Sequence, residues 1–469
     1  MSFELYEYKI EDLGKVITGK TPPSKISDAF SAQGIPFVTP KDMDGRRLID
    51  KTERYLSSQG VEAVRNCLLP QNSIAVSCIG SDMGKTVLLP GESITNQQIN
   101  AIVVDSEHFD YKYVYYYLST LQDDFKAIAG GSATPILNKG HFSQFKVSLP
   151  VKPVQNKIAL ILDSLDTKIE VNTEINHTLE QMAQALFKSW FVDFEPVKAK
   201  MAVLAAGGSQ EDATLAAMTA ISGKDADALA VFEREHPEQY AELKATAELF
   251  PAAMQDSELG AIPKGWGVAS ISEMGKVTCG KTPSKKEPEY YGSDVPFIKI
   301  PDMHGQLFVL KTNEYLSEAG SKSQLKKLVP ANSICVSCIA TIGVVSITNE
   351  PSHTNQQINS VTPHKSSLLY YLYFCMLGLK DHLHILGSAG SATLNVNTST
   401  FSGIKIAQPD AKVLELFHAK CTHLFNEIKS LSVQTESLTQ LRDTLLPKLL
   451  SGEITLQEAE QAVSEVENV

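Results

Sequence analysis

The chain has 469 residues, room for about three domains, and its 43% hydrophobic and 20% charged residues exclude wholesale disorder or a collagen-like repeat. A formal charge of −12 argues at first against a nucleic-acid partner, but the acid is unevenly spread. Residues 1–152 carry −1 and 263–409 carry +4, whereas 153–196, 197–262 and 410–469 carry −4, −6 and −5, so the two large blocks remain free to present a basic face.

In chain order, nothing near Met1 combines basic residues, an apolar run and a small-residue cleavage site, so a cytoplasmic protein is expected. Seven cysteines, an odd number without framework spacing, fit a reducing compartment. The longest apolar run, 368–379, is too short to span a bilayer, and no membrane association is expected.

The second half then restates the first about 260 residues further on. Gly19-Lys20-Thr21-Pro22 returns as Gly280-Lys281-Thr282-Pro283, and Asp42-Met43 as Asp302-Met303. Asn72-Ser73-Ile74 and Ser77-Cys78-Ile79 return as Asn332-Ser333-Ile334 and Ser337-Cys338-Ile339. "TNQQIN" at 95–100 reappears verbatim at 354–359, and Gly131-Ser132-Ala133-Thr134 as Gly390-Ser391-Ala392-Thr393. Two copies at so long a period make a duplicated domain, not a solenoid. Within each copy, β-rich runs such as 73–79, 99–104 and 334–339 read as strands, and 111–121 with 370–376 as a helix, giving a compact α+β unit.

A long stretch without Pro or Gly follows each copy. Ile158, Leu165, Asn172, Leu179 and Leu186 recur every heptad, with Ile161, Ile169, Ile175 and Met182 between them; Phe417, Leu424, Leu431, Leu438 and Leu445 do the same later. Each stretch reads as a long coiled-coil helix, the first of roughly 40 residues and about 60 Å, ended by Pro196 and by Ser451-Gly452. Asn172 on the seam suits a register-fixing polar residue. The cluster of Phe187, Trp190 and Phe191 suits packing of the neighbouring domain or of a partner subunit, or plain packing between the two helices. The domain plan is therefore one copy of the duplicated domain at 1–152, a helix at 153–196, an Ala- and acid-rich helical insert at 197–262, the second copy at 263–409, and a second helix with a tail at 410–469.

Several motifs are discounted. Gly14 to Thr21, and again Gly275 to Thr282, satisfy G-x-x-x-x-G-K-[ST], but a phosphate loop needs an apolar strand before it and a helix after it. Here the polar "YKIEDL" precedes and Pro22, Pro23 or Pro283 follows. Cys335 and Cys338 have redox or zinc spacing without a second Cys/His pair, and read as buried small residues. Neither H-E-x-x-H nor G-x-S-x-G occurs, and no acidic-x-Lys follows Pro301-Asp302 closely enough for a nuclease reading. No catalytic residue and no metal ligand is assigned.

"NHTLEQMAQALFKSWFVDFEPVKAKM" at 176–201, "DSELGAIPKGW" at 256–266 and "LRDTLLPKLLSGEI" at 441–454, joined to duplicated domains opening with G-K-T-P, closely resemble the specificity subunit of type I restriction–modification enzymes. The resemblance implies an α+β, pseudo-two-fold chain: two target-recognition domains separated by two long antiparallel coiled-coil helices. It implies a non-catalytic subunit in which each domain reads half of a bipartite, asymmetric double-stranded DNA site. The helices would set the spacing and dock two methyltransferase subunits, which restriction/translocase subunits then join. S-adenosylmethionine, ATP and Mg would sit on those partners, none on this chain.

DNA contacts are expected from polar residues of the glycine-bounded loops. In the first domain these are Lys20, Thr21, Lys25, Lys41, Arg46, Arg47, Lys85, Ser132, Thr134 and Lys139; in the second, Lys281, Lys285, Lys286, Lys299, Ser391, Thr393, Asn395 and Asn397. Positions that differ between the copies, Arg46/Gln306 and Arg47/Leu307, suit sequence reading. The identical "TNQQIN" cannot alone distinguish two half-sites, and Asn96, Gln97 and Gln98 are expected to pin a strand end. Two rival readings remain, a P-loop nucleotide enzyme using Lys20 and Lys281, and a coiled-coil adaptor that binds protein only.

Overall fold

The computed structural model describes residues 3–129, 136–388 and 394–467. They form two compact units, 1–171 with 435–469 and 172–434, so the division falls inside both long helices. Each unit holds one copy of the duplicated domain and a piece of each helix, an α+β arrangement that crosscuts the five-part linear plan.

In the first copy an antiparallel sheet runs Gly14–Thr18, Ile99–Val104, Ser73–Ser77, Thr86–Leu89 from edge to edge. Its strand Ser73–Ser77 is buried on both faces, with Ile74 and Val76 on one and the small Ser73, Ala75 and Ser77 on the other. A smaller sheet is built from Phe30–Ser31, Tyr55–Leu56, Ile35–Val38 and Ile94–Thr95. The second copy repeats both sheets. Gly275–Cys279, Ile358–Pro363, Ile334–Ser337 and Val345–Thr348 form the larger one, extended by Phe308–Val309, and His353–Thr354 closes the smaller by pairing in parallel with Val295–Ile298. Asn72 and Asn332 take the left-handed conformation (φ 66° and 61°) at the same turn before the central strand, which Asn tolerates better than most residues.

The helices expected from the sequence form at Tyr111–Ser119 and Leu369–Gly378. The two long helices are Lys152–Phe187 and Ala411–Ser451. Within each unit their pieces run antiparallel. In the second, Asn172 Nδ2 donates to Gln434 Oε1 (2.8 Å) and Asn176 Nδ2 to Ser432 Oγ (3.0 Å), so an advance along one helix meets a retreat along the other. The heptad line Ile158, Leu165, Asn172, Leu179, Leu186 faces inward, but the intermediate line does not follow Ile175 and Met182, which are 40% and 55% exposed. It follows Leu162, Ile169, Asn176, Ala183 and Trp190 instead, on the other side of the first line.

Pro196 does not end the first helix. That helix widens into a π turn at Lys188–Val192, the chain reverses at Phe194 (φ 54°), and Pro196 occupies the first turn of the next helix, Glu195–Ala205, where its missing N–H is harmless. The second helix carries Pro447 near its end and closes on left-handed Gly452 (φ 73°). The insert continues with helices Gln210–Ser222, Ala226–Glu235 and Pro237–Glu248 around a small core of Ala217, Met218, Leu229 and Ala247. Among the described residues no helix is long and apolar enough to cross a membrane.

Candidate nucleic-acid interface

The G-K-T-P segment leaves the edge strand Gly14–Thr18 and lies against "TNQQIN", with the same bonds in both copies. Gly19 N donates to Ile99 O (3.1 Å) and Lys20 N to Thr95 O (2.9 Å); Gly280 N donates to Ile358 O (3.1 Å) and Lys281 N to Thr354 O (2.9 Å). The approach is so close that a Cβ on Gly19 would stand 2.1 Å from Asn96 O, and one on Gly280 2.2 Å from Asn355 O. Only glycine fits there. No helix follows Thr21 or Thr282, so neither segment has the architecture of a phosphate loop.

Asn96 and Gln98 form the inner side of the opposing turn. Asn96 Oδ1 accepts from Gln98 N (3.0 Å) and its Nδ2 donates to Gln98 Oε1 (3.2 Å); Asn355 and Gln357 repeat the pair at 3.1 and 3.0 Å. Asn100, buried, accepts from Thr18 Oγ1 (2.6 Å) and donates to Leu137 O (3.2 Å), while Asn359 accepts from Thr398 Oγ1 (2.9 Å). Gln97 and Gln356 point outward instead, exposed, with Oε1 held by the hydroxyls of Thr21 (2.7 Å) and Thr282 (2.6 Å).

The remaining candidate residues fall into distinct settings. Lys20, Lys25, Lys41, Lys139, Lys281, Lys285, Lys286 and Asn395 are exposed. Burial raises the Cys67 thiol, an effect that the charges of Lys20 and Lys139 only partly offset. Arg46 is exposed but paired with Asp44 (3.0 Å) and Asp50 (3.4 Å), and Lys85 is paired with Asp82 (2.8 Å). Lys299 is half-buried against Glu314. Asn397 Oδ1 caps the helix Thr398–Gly403 by accepting from Thr400 N (2.9 Å), as Asn138 Oδ1 caps Lys139–Gln144. Ser132, Thr134, Ser391 and Thr393 lie outside the described residues.

Arg47 is a correction. Its side chain is only 10% exposed and binds the first long helix, Nη1 to Asp163 (2.6 Å) and Nε to Glu170 (2.9 Å), with Tyr116 Oη 3.2 Å away. Burial opposes its charge, but the surrounding carboxylates hold the guanidinium firmly ionised. Asp166 continues the network to Arg442 (2.8 Å) on the second long helix. Arg47 therefore anchors its domain to the helices and is not free to read a base. Nor is Gln306, the second copy's counterpart of Arg46: it is consumed in its own turn, accepting from Leu310 N (3.0 Å) and donating to Asp302 O (2.7 Å).

The aromatic cluster is likewise closed to partners. Trp190 is fully buried and Phe191 nearly so, with Phe187, Phe250, Trp266, Tyr371 and Phe417 around them at centroid distances of 5.0–6.2 Å. The Cys335 and Cys338 thiols are pushed up to about 11 by burial, and they enter different apolar clusters, Cys335 from the strand Ile334–Ser337 and Cys338 just past its end, which fits buried small residues. Asp302 accepts from Lys299 N (2.8 Å) and Asn313 N (2.9 Å), as Asp42 does from Thr39 N (2.8 Å) and Glu53 N (2.9 Å), which leaves these carboxylates a structural part. Asp105, Glu107 and His108 stand close together but exposed, and the second copy has His364, Ser366 and Ser367 in their places.

Each unit thus joins one copy of the α+β domain to a piece of both long helices and carries an exposed lysine in a matching Gly-Lys-Thr loop. The sequence matches the type I restriction modification DNA specificity domain over residues 4–181 and 263–429, once per copy, and the chain belongs to that family. It is 50% identical over 319 residues to the type I restriction enzyme HindI specificity subunit of Haemophilus influenzae, covering 66% of this chain and 70% of that one. The MjaIX specificity subunit of Methanocaldococcus jannaschii is 25% identical over 456 residues, 96% of this chain and 93% of that one. The crystal structure of the type I restriction–modification S subunit from M. genitalium shares the fold, with a TM-score of 0.55 at 14% identity and 96% of both chains covered.

Proposed function

We propose that this chain gives a type I restriction–modification complex its DNA sequence, each duplicated domain reading one half of a bipartite, asymmetric site. The observation that carries this reading is duplication with divergence: the loop frameworks are alike to the hydrogen bond, while exposed side chains such as Lys41 and Lys139, which meet Pro301 and Thr398, have no identical counterpart. A common framework with different exposed residues suits two readers of two unlike half-sites. The paired helices act as a ruler, as dimer geometry does for symmetric repressors. A change of one heptad, about 10 Å, shifts the gap by roughly 3 bp if transmitted directly.

The same helices dock two methyltransferase subunits, with restriction/translocase subunits joining them. Adenine methylation with S-adenosylmethionine, and cleavage driven by ATP and Mg, occur on those partner chains, in the cytoplasm. Exchange of residues 1–150 for the corresponding domain of a relative tests the assignment. It is expected to change one half of the recognised sequence and leave the other half and the gap unchanged; a change in both halves, or in neither, overturns the two-reader model.

A further inference from the structure

Two features of the Gly-Lys-Thr loops recur in both copies. First, Thr21 Oγ1 and Thr282 Oγ1 donate to the Oε1 atoms of Gln97 and Gln356, which turns each amide so that its NH₂ group has no partner among the described residues. Second, the neighbouring Lys20 and Lys281 are exposed and form no ion pair among the described residues, although acidic groups outnumber basic ones in the chain. Each copy thus presents an oriented amide donor and an ammonium group, held by a glycine that lets two loops touch. The groups left without a partner, an amide NH₂ and an ammonium, are both donors, which suits an anion.

Their identity in the two copies decides which part of DNA they meet. Two domains that read different bases cannot obtain that difference from identical residues in identical geometry. What two unlike half-sites share is the sugar–phosphate backbone, whose contacts position a duplex without reporting its sequence. Resting on the DNA-recognition reading above, the geometry points to Lys20 with Gln97, and Lys281 with Gln356, as a repeated backbone clamp: each pair binds phosphate, registers its domain on the duplex, and carries none of the sequence preference.

The test uses the full chain assembled with its methyltransferase subunits. Binding is measured against a duplex carrying the recognised site and a scrambled duplex, across a salt series, for wild type, K20Q/K281Q and Q97A/Q356A. Loss of both lysine contacts is expected to weaken both duplexes alike, by roughly fivefold per contact near 0.15 M salt, and to reduce the slope of log K against log salt by about 0.9 per contact. The recognised sequence stays the same. K20Q/K281Q leaves the loop's own hydrogen bonds intact, so it decides the matter if Q97A/Q356A fails to fold. Unchanged affinity and slope in K20Q/K281Q, or an altered base preference in either variant, overturns the clamp. A wild-type complex with no sequence preference overturns the underlying recognition reading instead, a distinguishable result.

Discussion

At the scale of single residues, steric and protonation arguments give the sharpest tests. Gly19→Ala and Gly280→Ala place a methyl within about 2 Å of a backbone oxygen, which neither loop can rotate away. Each is expected to cost about 1–3 kcal/mol, read by urea unfolding; an unchanged midpoint would show that the loops do not touch. His353 is fully buried with Nε2 2.8 Å from Ser321 Oγ, and burial holds its imidazole down to about 4. The unfolded chain takes up that proton near pH 6.5, so the contribution is complete above that pH and is lost as pH falls toward 4, by about 3 kcal/mol in all. Ile94 stands at the equivalent position of the first copy, and H353I is expected to flatten this acid slope, measured as stability against pH. An identical slope in H353I would assign the acid sensitivity elsewhere. The close glycine approach was half legible: the repeated G-K-T-P announced a turn, but its partner "TNQQIN" lies some 75 residues away and is joined to it only by the strand pairing.

At the scale of elements, the two copies are fastened to their helices by different chemistry. The first uses Arg47, Lys112, Tyr116, Asp163, Asp166, Glu170 and Arg442. At the matching offset the second has Leu307, Tyr371, Cys375, Thr422, Phe425, Lys429 and Ala183, and Phe425 packs among Phe308, Tyr370, Tyr373 and Phe374 at 4.2–6.2 Å. Arg47→Ala removes the guanidinium that joins Asp163 and Glu170, while Lys112 still pairs Asp163 and Arg442 still pairs Asp166, and is expected to cost about 1–3 kcal/mol without altering the recognised sequence. A changed half-site with unchanged stability would return Arg47 to base reading. Phe425→Ala opens a cavity in the other seat and is expected to cost about 3–5 kcal/mol, measured by the same unfolding curves. This network joins positions 47, 163 and 442, so no local pattern reveals it; comparing the copies position by position would, because the charged partners vanish together. The inner helix line was misread for a related reason. Ile175 and Met182 are the apolar choice three residues along, whereas Asn176 and Ala183, four along, face inward, the former bonded to Ser432. Hydrophobicity alone does not decide between the two flanks of a seam.

At the scale of the whole chain, the duplication was legible because it is nearly literal, and with it the α+β class, the two domains and the two long helices. The division into units that cut through both helices was not, since a linear plan assigns each helix to one segment while packing shares it. The central claim is that two like domains on this chain supply the sequence read by the complex. It is tested most directly by mapping methylated adenines in cells expressing this chain with its methyltransferase subunits and in cells lacking only this chain. The account predicts the loss of one bipartite motif, two short defined blocks around a fixed gap. An unchanged map, in cells shown to assemble the complex, would contradict it.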